Sequence, residues 1–321
     1  MDLAMPDGIE VSTFRSRQVG YNCVVLIKQV PDTKRITGEA MNDDGTVNRS
    51  ALPAIFNPED LNALETALQI KDKFGGRVTV ITMGPPAAAT ILRDSLYRGA
   101  DDAILITDIK CAASDTLATS YILSCAVKKF DYDVVLCGRQ AIDGDTAQVG
   151  PQLAEKLGIP QITYVEELTE LVGKDITARR NIGAGWQQVK SKLPALLTVT
   201  GDANEPRVAA AKKMMRYKNA LTALEVEQKI KVENAGADKT DIKKLVEHKS
   251  KEMEEKGLLL KQWDLDFLEA DLSWCGRSGS PTKVHRIQSV VLAAKESKNV
   301  EPTSEGISDM IHELIEDKTI A

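Results

Sequence analysis

The sequence predicts an α/β protein with a doubly wound, mostly parallel sheet, a small β excursion and a C-terminal helical arm. Three observations predict it. Short apolar runs rich in β-branched residues recur at 22–30, 77–83, 103–107 and 133–137. Segments with helical apolar spacing separate them, and Gly or Pro clusters mark the junctions. Strands buried on both faces read as continuous hydrophobic runs, and their alternation with helices builds βαβ units.

The elements follow in order. Residues 1–21 are polar, with three acids and two arginines, and lack an apolar stretch, so they read as a disordered extension. NCVVLIKQV, 22–30, is the first strand, and a polar stretch runs to Arg49. Asn57-Pro58-Glu59-Asp60 opens a helix with Leu61, Leu64, Ala67 and Leu68 at helical spacing. Asn57 suits the N-cap, Pro58 the first turn, and the acids the positive helix end. Gly75-Gly76 closes it before the strand RVTVITM. Gly84-Pro85-Pro86 turns into a helix carrying Ile91, Leu92 and Leu96, and residues 103–107 form the third strand. A helix over 115–127, capped by Ser114 or Asp115, leads to the strand DVVLC, 133–137. The next helix spans 147–157 and ends at Gly158 and Pro160.

Beyond Thr163 the pattern becomes antiparallel β, with a Gly-rich turn at 181–185, and PALLTVT, 194–200, returns as a buried strand. A basic patch of Lys212, Lys213, Arg216 and Lys218 follows. A charge-rich amphipathic helix is predicted over 239–263, a Gly-Ser turn at 276–281, and a last helix over 305–316. The organisation is thus an extension (1–21), an α/β domain (22–220) and a C-terminal arm (221–321).

Composition narrows the function. A net charge of −6 argues against a nucleic-acid-binding surface. No run approaches the ~18 apolar residues of a membrane span, so direct membrane insertion is not expected. The five cysteines form no CxxC pair, and His248, His285 and His312 are scattered, so no metal site is expected. No GxSxG elbow, GxGxxG or GK[ST] loop occurs, and no catalytic constellation stands out.

The informative segment is GRQAIDGDTAQVG, 138–150, directly after DVVLC. Ligands of open parallel sheets bind beyond the carboxyl ends of strands, and a loop feeding a helix N-terminus offers N–H groups to a phosphate or pyrophosphate. Gly144 permits close backbone approach, and the Thr146 hydroxyl can bond a phosphate oxygen. Asp143 and Asp145 are expected to bond backbone amides or ligand hydroxyls. The alternative is a loop that merely turns. Loops at 28–33, 83–86 and Asn57-Pro58 should share the same edge and could supply a slot for adenine.

At these motifs the chain resembles the beta subunits of electron-transfer flavoproteins, called FixA in some bacteria. The resemblance rests on VVLIKQVPDT (24–33), NPEDLNALETAL (57–68), VITMGPP (80–86), SDTLATS (114–120), the run from Cys137 to Val165, and ANEPR (203–207). It implies a Rossmann-like fold of the adenine-nucleotide alpha-hydrolase type. It also implies a heterodimer whose alpha subunit carries the electron-transferring FAD and contacts the C-terminal arm. By motif match, this subunit's nucleotide would lie on Leu26, Asn57, Pro58, Asp60 and Met83. The loop residues Gly138, Arg139, Gln140, Ala141, Ile142, Asp143, Gly144, Asp145, Thr146, Ala147, Gln148 and Val149 would complete the site.

That nucleotide is AMP in ordinary members and a second FAD in electron-bifurcating ones. Ordinary members carry an Asp where Gly144 stands here, and IDGDTAQVGP and GSPTKV (279–284) look like the bifurcating type. The resemblance then implies NADH as hydride donor, with one electron passing to a high-potential and one to a low-potential acceptor. Further implied partners are acyl-CoA dehydrogenase-type donors and a membrane-bound quinone-linked oxidoreductase, with the heterodimer in the bacterial cytoplasm. The family's donor-docking leucine is matched by Ala211, leaving Lys212, Lys213, Met214 and Met215 as candidate partner contacts. A buried helix stripe is the competing reading of the methionines. The charged segment 239–263 is longer than the family leads one to expect. A free-standing adenine-nucleotide sensor and an unrecognised enzyme are the readings from other classes.

Overall fold

The computed structural model describes residues 20–32, 52–234, 238–283 and 299–316. Residues 1–19, where the N-terminal extension was expected, and Val284 of the GSPTKV motif lie outside them.

The first apolar run breaks in two. β1 (Tyr21–Leu26) enters the main sheet, whereas β2 (Gln29–Pro31) pairs with β3 (Ala54–Phe56) in a separate antiparallel ribbon. The break falls where the Lys28 N–H turns to the Asp60 carboxylate, 2.8 Å away. α1 (Pro58–Phe74) follows and stops at Gly75, whose φ of 80° suits a residue without a side chain. β4 (Gly76–Met83), α2 (Ala89–Arg98), β5 (Asp102–Ile106), α3 (Thr116–Val127), β6 (Val134–Gly138) and α4 (Val149–Leu157) alternate as the apolar pattern predicts. Asp115 caps α3 by accepting from the Ala118 N–H at 2.9 Å.

β7 (Gln161–Val172), β8 (Asp175–Asn181) and β9 (Trp186–Lys192) form the antiparallel excursion. β10 (Ala195–Val199) is buried throughout and lies between β6 and β7, parallel to both. The chain then forms α5 (Ala211–Tyr217), β11 (Leu221–Thr222), α6 (Ala223–Glu233), α7 (Lys239–Glu255), β12 (Leu259–Trp263), the single turn α8 (Gly276–Gly279) and α9 (Ser304–Glu316). The expected helix over 239–263 is therefore two elements. Gly257, at φ 64°, ends the helical course, and LLKQW becomes a strand parallel to β5.

The main sheet has 10 strands in the order β11-β12-β5-β4-β1-β6-β10-β7-β8-β9. Alternate residues of each central strand serve two cores. Cys23 and Val25 pack with Leu64 and Leu68 of α1 and Leu92 of α2. Val24 and Leu26 face Ile122 of α3 and Leu153 of α4 on the other side. Val80 and Ile81 divide in the same way, so the sheet is doubly wound. At one edge, Lys190 and Lys192 of β9 pair with Asp175, the kind of charged edge that discourages further strand addition. Among the described residues, no helix is long and apolar enough to cross a membrane.

Candidate functional site

The chain runs from β1 outward through β4 and β5, then returns to place β6 on the other side of β1. Loops leaving β1 and β6 diverge, which opens a crevice at their carboxyl ends, where open α/β sheets bind ligands. The structure brings Leu26, Asn57, Pro58, Asp60, Met83 and the loop 138–149 to this edge.

The start of α1 fixes that loop through three polar side chains, those of Asn57, Glu59 and Asp60. Asn57 occupies the N-cap position but does not cap with its side chain. Fully buried, its Nδ2 donates to the Gln140 carbonyl at 2.9 Å and its Oδ1 accepts from the Ile142 N–H at 3.1 Å. Glu59 accepts from the Gln140 N–H at 3.0 Å and pairs with the Arg139 guanidinium at 2.9 Å. Asp60 accepts from the Gly138 N–H at 2.9 Å with Oδ1 and from the Lys28 N–H with Oδ2. Burial pushes the Asp60 carboxyl up to about 7, against the lowering pull of these main-chain donors and of Asn57. Gly138 is required by space: a Cβ there would lie 2.5 Å from Asp60 Oδ1 and 2.9 Å from the Asp60 main-chain nitrogen.

Past Ile142 the backbone is unusual. Asp145 and Ala147 have φ of 47° and 53°, a region that side-chain-bearing residues rarely adopt. Gln148 follows at φ −100°, ψ −28°. A left-handed residue followed by a right-handed one turns successive N–H groups into one concavity, an anion-binding nest. These two turns also delay α4, which starts at Val149 rather than at the expected Ala147. The Thr146, Ala147 and Gln148 N–H groups donate to no group among the described residues. They lie at the positive end of α4, so main-chain donors and helix dipole favour the same charge. Gly150 lets this helix end press onto β10; a Cβ there would meet Thr198 Cγ2 at 2.7 Å.

Asp143 pairs with the Lys28 ammonium at 2.7 Å, and Asp145 accepts from the Gln140 side-chain amide at 3.1 Å, so neither of these contacts is to a backbone amide. The lysine offsets negative charge beside the nest. Gly144 has nothing within 4 Å of where a Cβ would sit, leaving open space above the loop. Gln148 accepts from the Thr116 hydroxyl at 2.9 Å, which ties the loop to the start of α3.

Sequence reasoning missed Glu59, Lys28 and Thr116. Glu59 looked like an ordinary first-turn acid, and the other two act across 115 and 32 residues of chain, respectively. The donor set fits a phosphate, whether of a mononucleotide or of a dinucleotide. The residues matched to partner docking sit elsewhere, on α5 beside α2, where Met214 and Met215 are 42% and 65% exposed, which removes the buried-stripe reading. No cluster of His, Cys, Asp or Glu able to hold a metal occurs among the described residues.

Fold and site together define a doubly wound α/β protein with a loop of unbonded main-chain N–H groups at its switch point. Residues 44–229 match the electron transfer flavoprotein domain family. The chain is 38% identical over 299 residues to the electron transfer flavoprotein subunit beta of Clostridium acetobutylicum, covering 93% of this chain and 100% of that one. It is 40% identical to the protein FixA of Azorhizobium caulinodans, over 82% and 83% of the two chains. It is 45% identical to the acryloyl-CoA reductase electron transfer subunit gamma of Anaerotignum propionicum, over 63% and 77%. The chain belongs to the electron transfer flavoprotein family, and its nearly full-length likeness is to that family's beta subunits.

Proposed function

We propose that this chain is the beta-type half of a heterodimeric electron carrier and binds an adenine nucleotide at the β1/β6 switch point. The observation that carries this reading is the nest at 146–149, at the far end of a loop whose first half, 138–142, is held by Asn57, Glu59 and Asp60. Leu26 and Met83 flank the adenine, while the Thr146, Ala147 and Gln148 N–H groups and the Thr146 hydroxyl hold phosphate. Lys28 neutralises Asp143 and so lowers the repulsion a phosphate would meet.

We take the nucleotide to be FAD rather than AMP. Gly144 supports this, because its open surroundings and missing carboxylate leave room for a larger ligand. FAD in this site would supply a redox centre able to accept hydride from NADH and divide its electrons between two acceptors. The chain's own residues bind, orient and neutralise. With AMP instead, the subunit would be a scaffold, and all electron traffic would run through the alpha flavin.

The alpha subunit is the proposed partner of the segments after residue 221, where Ile307, Ile311 and Ile315 of α9 expose 47%, 42% and 50% of their surface. An acyl-CoA dehydrogenase-type donor is the proposed partner of α5, and a membrane-bound quinone-linked oxidoreductase is a further candidate acceptor. The heterodimer is assigned to the bacterial cytoplasm. Co-purification with the alpha subunit, followed by release and quantification of nucleotides, tests the reading. Two FAD and no AMP per heterodimer is expected; one FAD and one AMP overturns the FAD assignment, and no nucleotide overturns the site.

A further inference from the structure

Between β10 and α5 the chain runs over α1 and α2, and none of residues 201–219 is buried. Little apolar packing holds this stretch, so polar contacts set its course. Asn62, Glu65, Thr66 and Asp72 supply them from one face of α1. Asn62 Nδ2 donates to the Asn204 carbonyl at 2.7 Å. In return, Asn204 Nδ2 donates to the Asn62 carbonyl at 3.1 Å and to the Thr66 hydroxyl at 2.9 Å.

Glu65, 6% exposed, receives Arg207 as a fork. Nε donates to Oε2 at 2.7 Å and Nη2 to Oε1 at 3.0 Å, while the Arg207 main-chain N–H adds a bond to Oε2 at 3.1 Å. Nη2 also reaches Asp72 Oδ2 at 2.8 Å. A guanidinium held bidentately on a buried carboxylate fixes orientation as well as distance. α2 then takes over: Arg98 donates to the Arg207 carbonyl, and the Ala210 N–H to the Tyr97 carbonyl at 3.0 Å. α5 begins at the next residue and has no buried side chain of its own, so its direction is inherited from these anchors.

We infer that Glu65, Arg207 and Asp72 form a positioning clamp that presents Met214 and Met215 of α5 to an electron-donor protein. This rests on the reading of α5 as the donor-docking helix. Arg207 acts through α5 rather than on the donor: the helix is ordered before encounter, so the complex does not bear the entropy of ordering it. The start of α1 also holds loop 138–142, so one helix sets the docking helix in register with the nucleotide loop.

The test uses the heterodimer as electron acceptor for an acyl-CoA dehydrogenase and its acyl-CoA, with KM for the heterodimer and kcat read from flavin reduction. Glu65→Gln/Arg207→Met removes the clamp without leaving a buried charge unpaired. Its KM should rise about tenfold, the scale of a few side chains ordered anew on docking, with kcat and nucleotide content unchanged. Met214→Ala/Met215→Ala should raise KM as well. Asp72→Ala removes only the outer anchor and should raise KM about twofold, which keeps the test open if the double clamp variant does not assemble. A parent that the dehydrogenase fails to reduce, or an unchanged KM in the methionine variant, overturns the docking reading and the inference with it. A KM raised in the methionine variant but in neither clamp variant overturns the inference alone, as does a clamp variant whose only change is a lower melting temperature.

Discussion

Replacing Gly138 by Ala tests whether the close approach of β6 to α1 builds the site. The new Cβ would stand 2.5 Å from a carboxylate oxygen and 2.9 Å from both the Asp60 nitrogen and the Glu59 carbonyl carbon. Two of those atoms are main chain, so no rotamer change relieves the contact. Overpacking of this kind costs about 1–3 kcal/mol. Displacing the Gly138 N–H from Asp60 forfeits a hydrogen bond to a charged group, about 1.5–3 kcal/mol more. The combined loss, about 2.5–6 kcal/mol, corresponds to a melting temperature lowered by about 10 °C for a chain of this size. Differential scanning calorimetry of the heterodimer reads the shift, and nucleotide content reads the site. Gly144→Ala is the internal control: its Cβ meets nothing, so its melting temperature should stay within about 1–2 °C of the parent. Similar melting of both variants, with nucleotide retained, would refute the argument from close approach.

Asn57→Ala should cost about 2–4 kcal/mol in urea denaturation, since it leaves two loop groups without their buried partner. Asn57→Asp should rescue little, because a carboxylate cannot donate to the Gln140 carbonyl. Asp60 sets a pH dependence: its folded pKa is raised to about 7, so the protonated carboxyl favours the fold. That contribution is complete below about 4 and is lost as pH rises through about 7, at most about 4 kcal/mol. The melting temperature of Asp60→Asn relative to the parent should therefore climb over this window; parallel curves would contradict it. Thr146→Ala should weaken nucleotide binding by about 1 kcal/mol, one hydrogen bond, with unchanged calorimetric affinity counting against hydroxyl contact.

The central strands were legible because they are buried on both faces and are rich in Val, Ile and Leu. Segment 133–137 needs no partner to be recognised as a strand. LLKQW was not legible, since two leucines and a tryptophan after a charged helix carry no period of their own, and pairing with β5 and β11 makes them a strand. Within the site, the placing of the loop 138–150 beyond the end of a strand and before a helix could be read because local sequence determines it. The Asn57, Glu59 and Asp60 contacts could not, because their partners lie 78 to 85 residues away. The left-handed turns at Asp145 and Ala147 are equally silent, as neither residue type announces them.

The position of β12 has a consequence for how the chain is made. β1, the earliest strand among the described residues, lies inside the sheet with neighbours on both sides, while the partner that covers β5 arrives only with Leu259–Trp263. Until the ribosome has passed that point, the backbone of Ile104–Ile106 is an open edge flanked by apolar side chains, which is the hazard that invites pairing between nascent chains. The charged helix α7 is synthesised immediately before β12. Its stretch of lysines and glutamates keeps the incomplete chain well hydrated through the last interval before the edge closes.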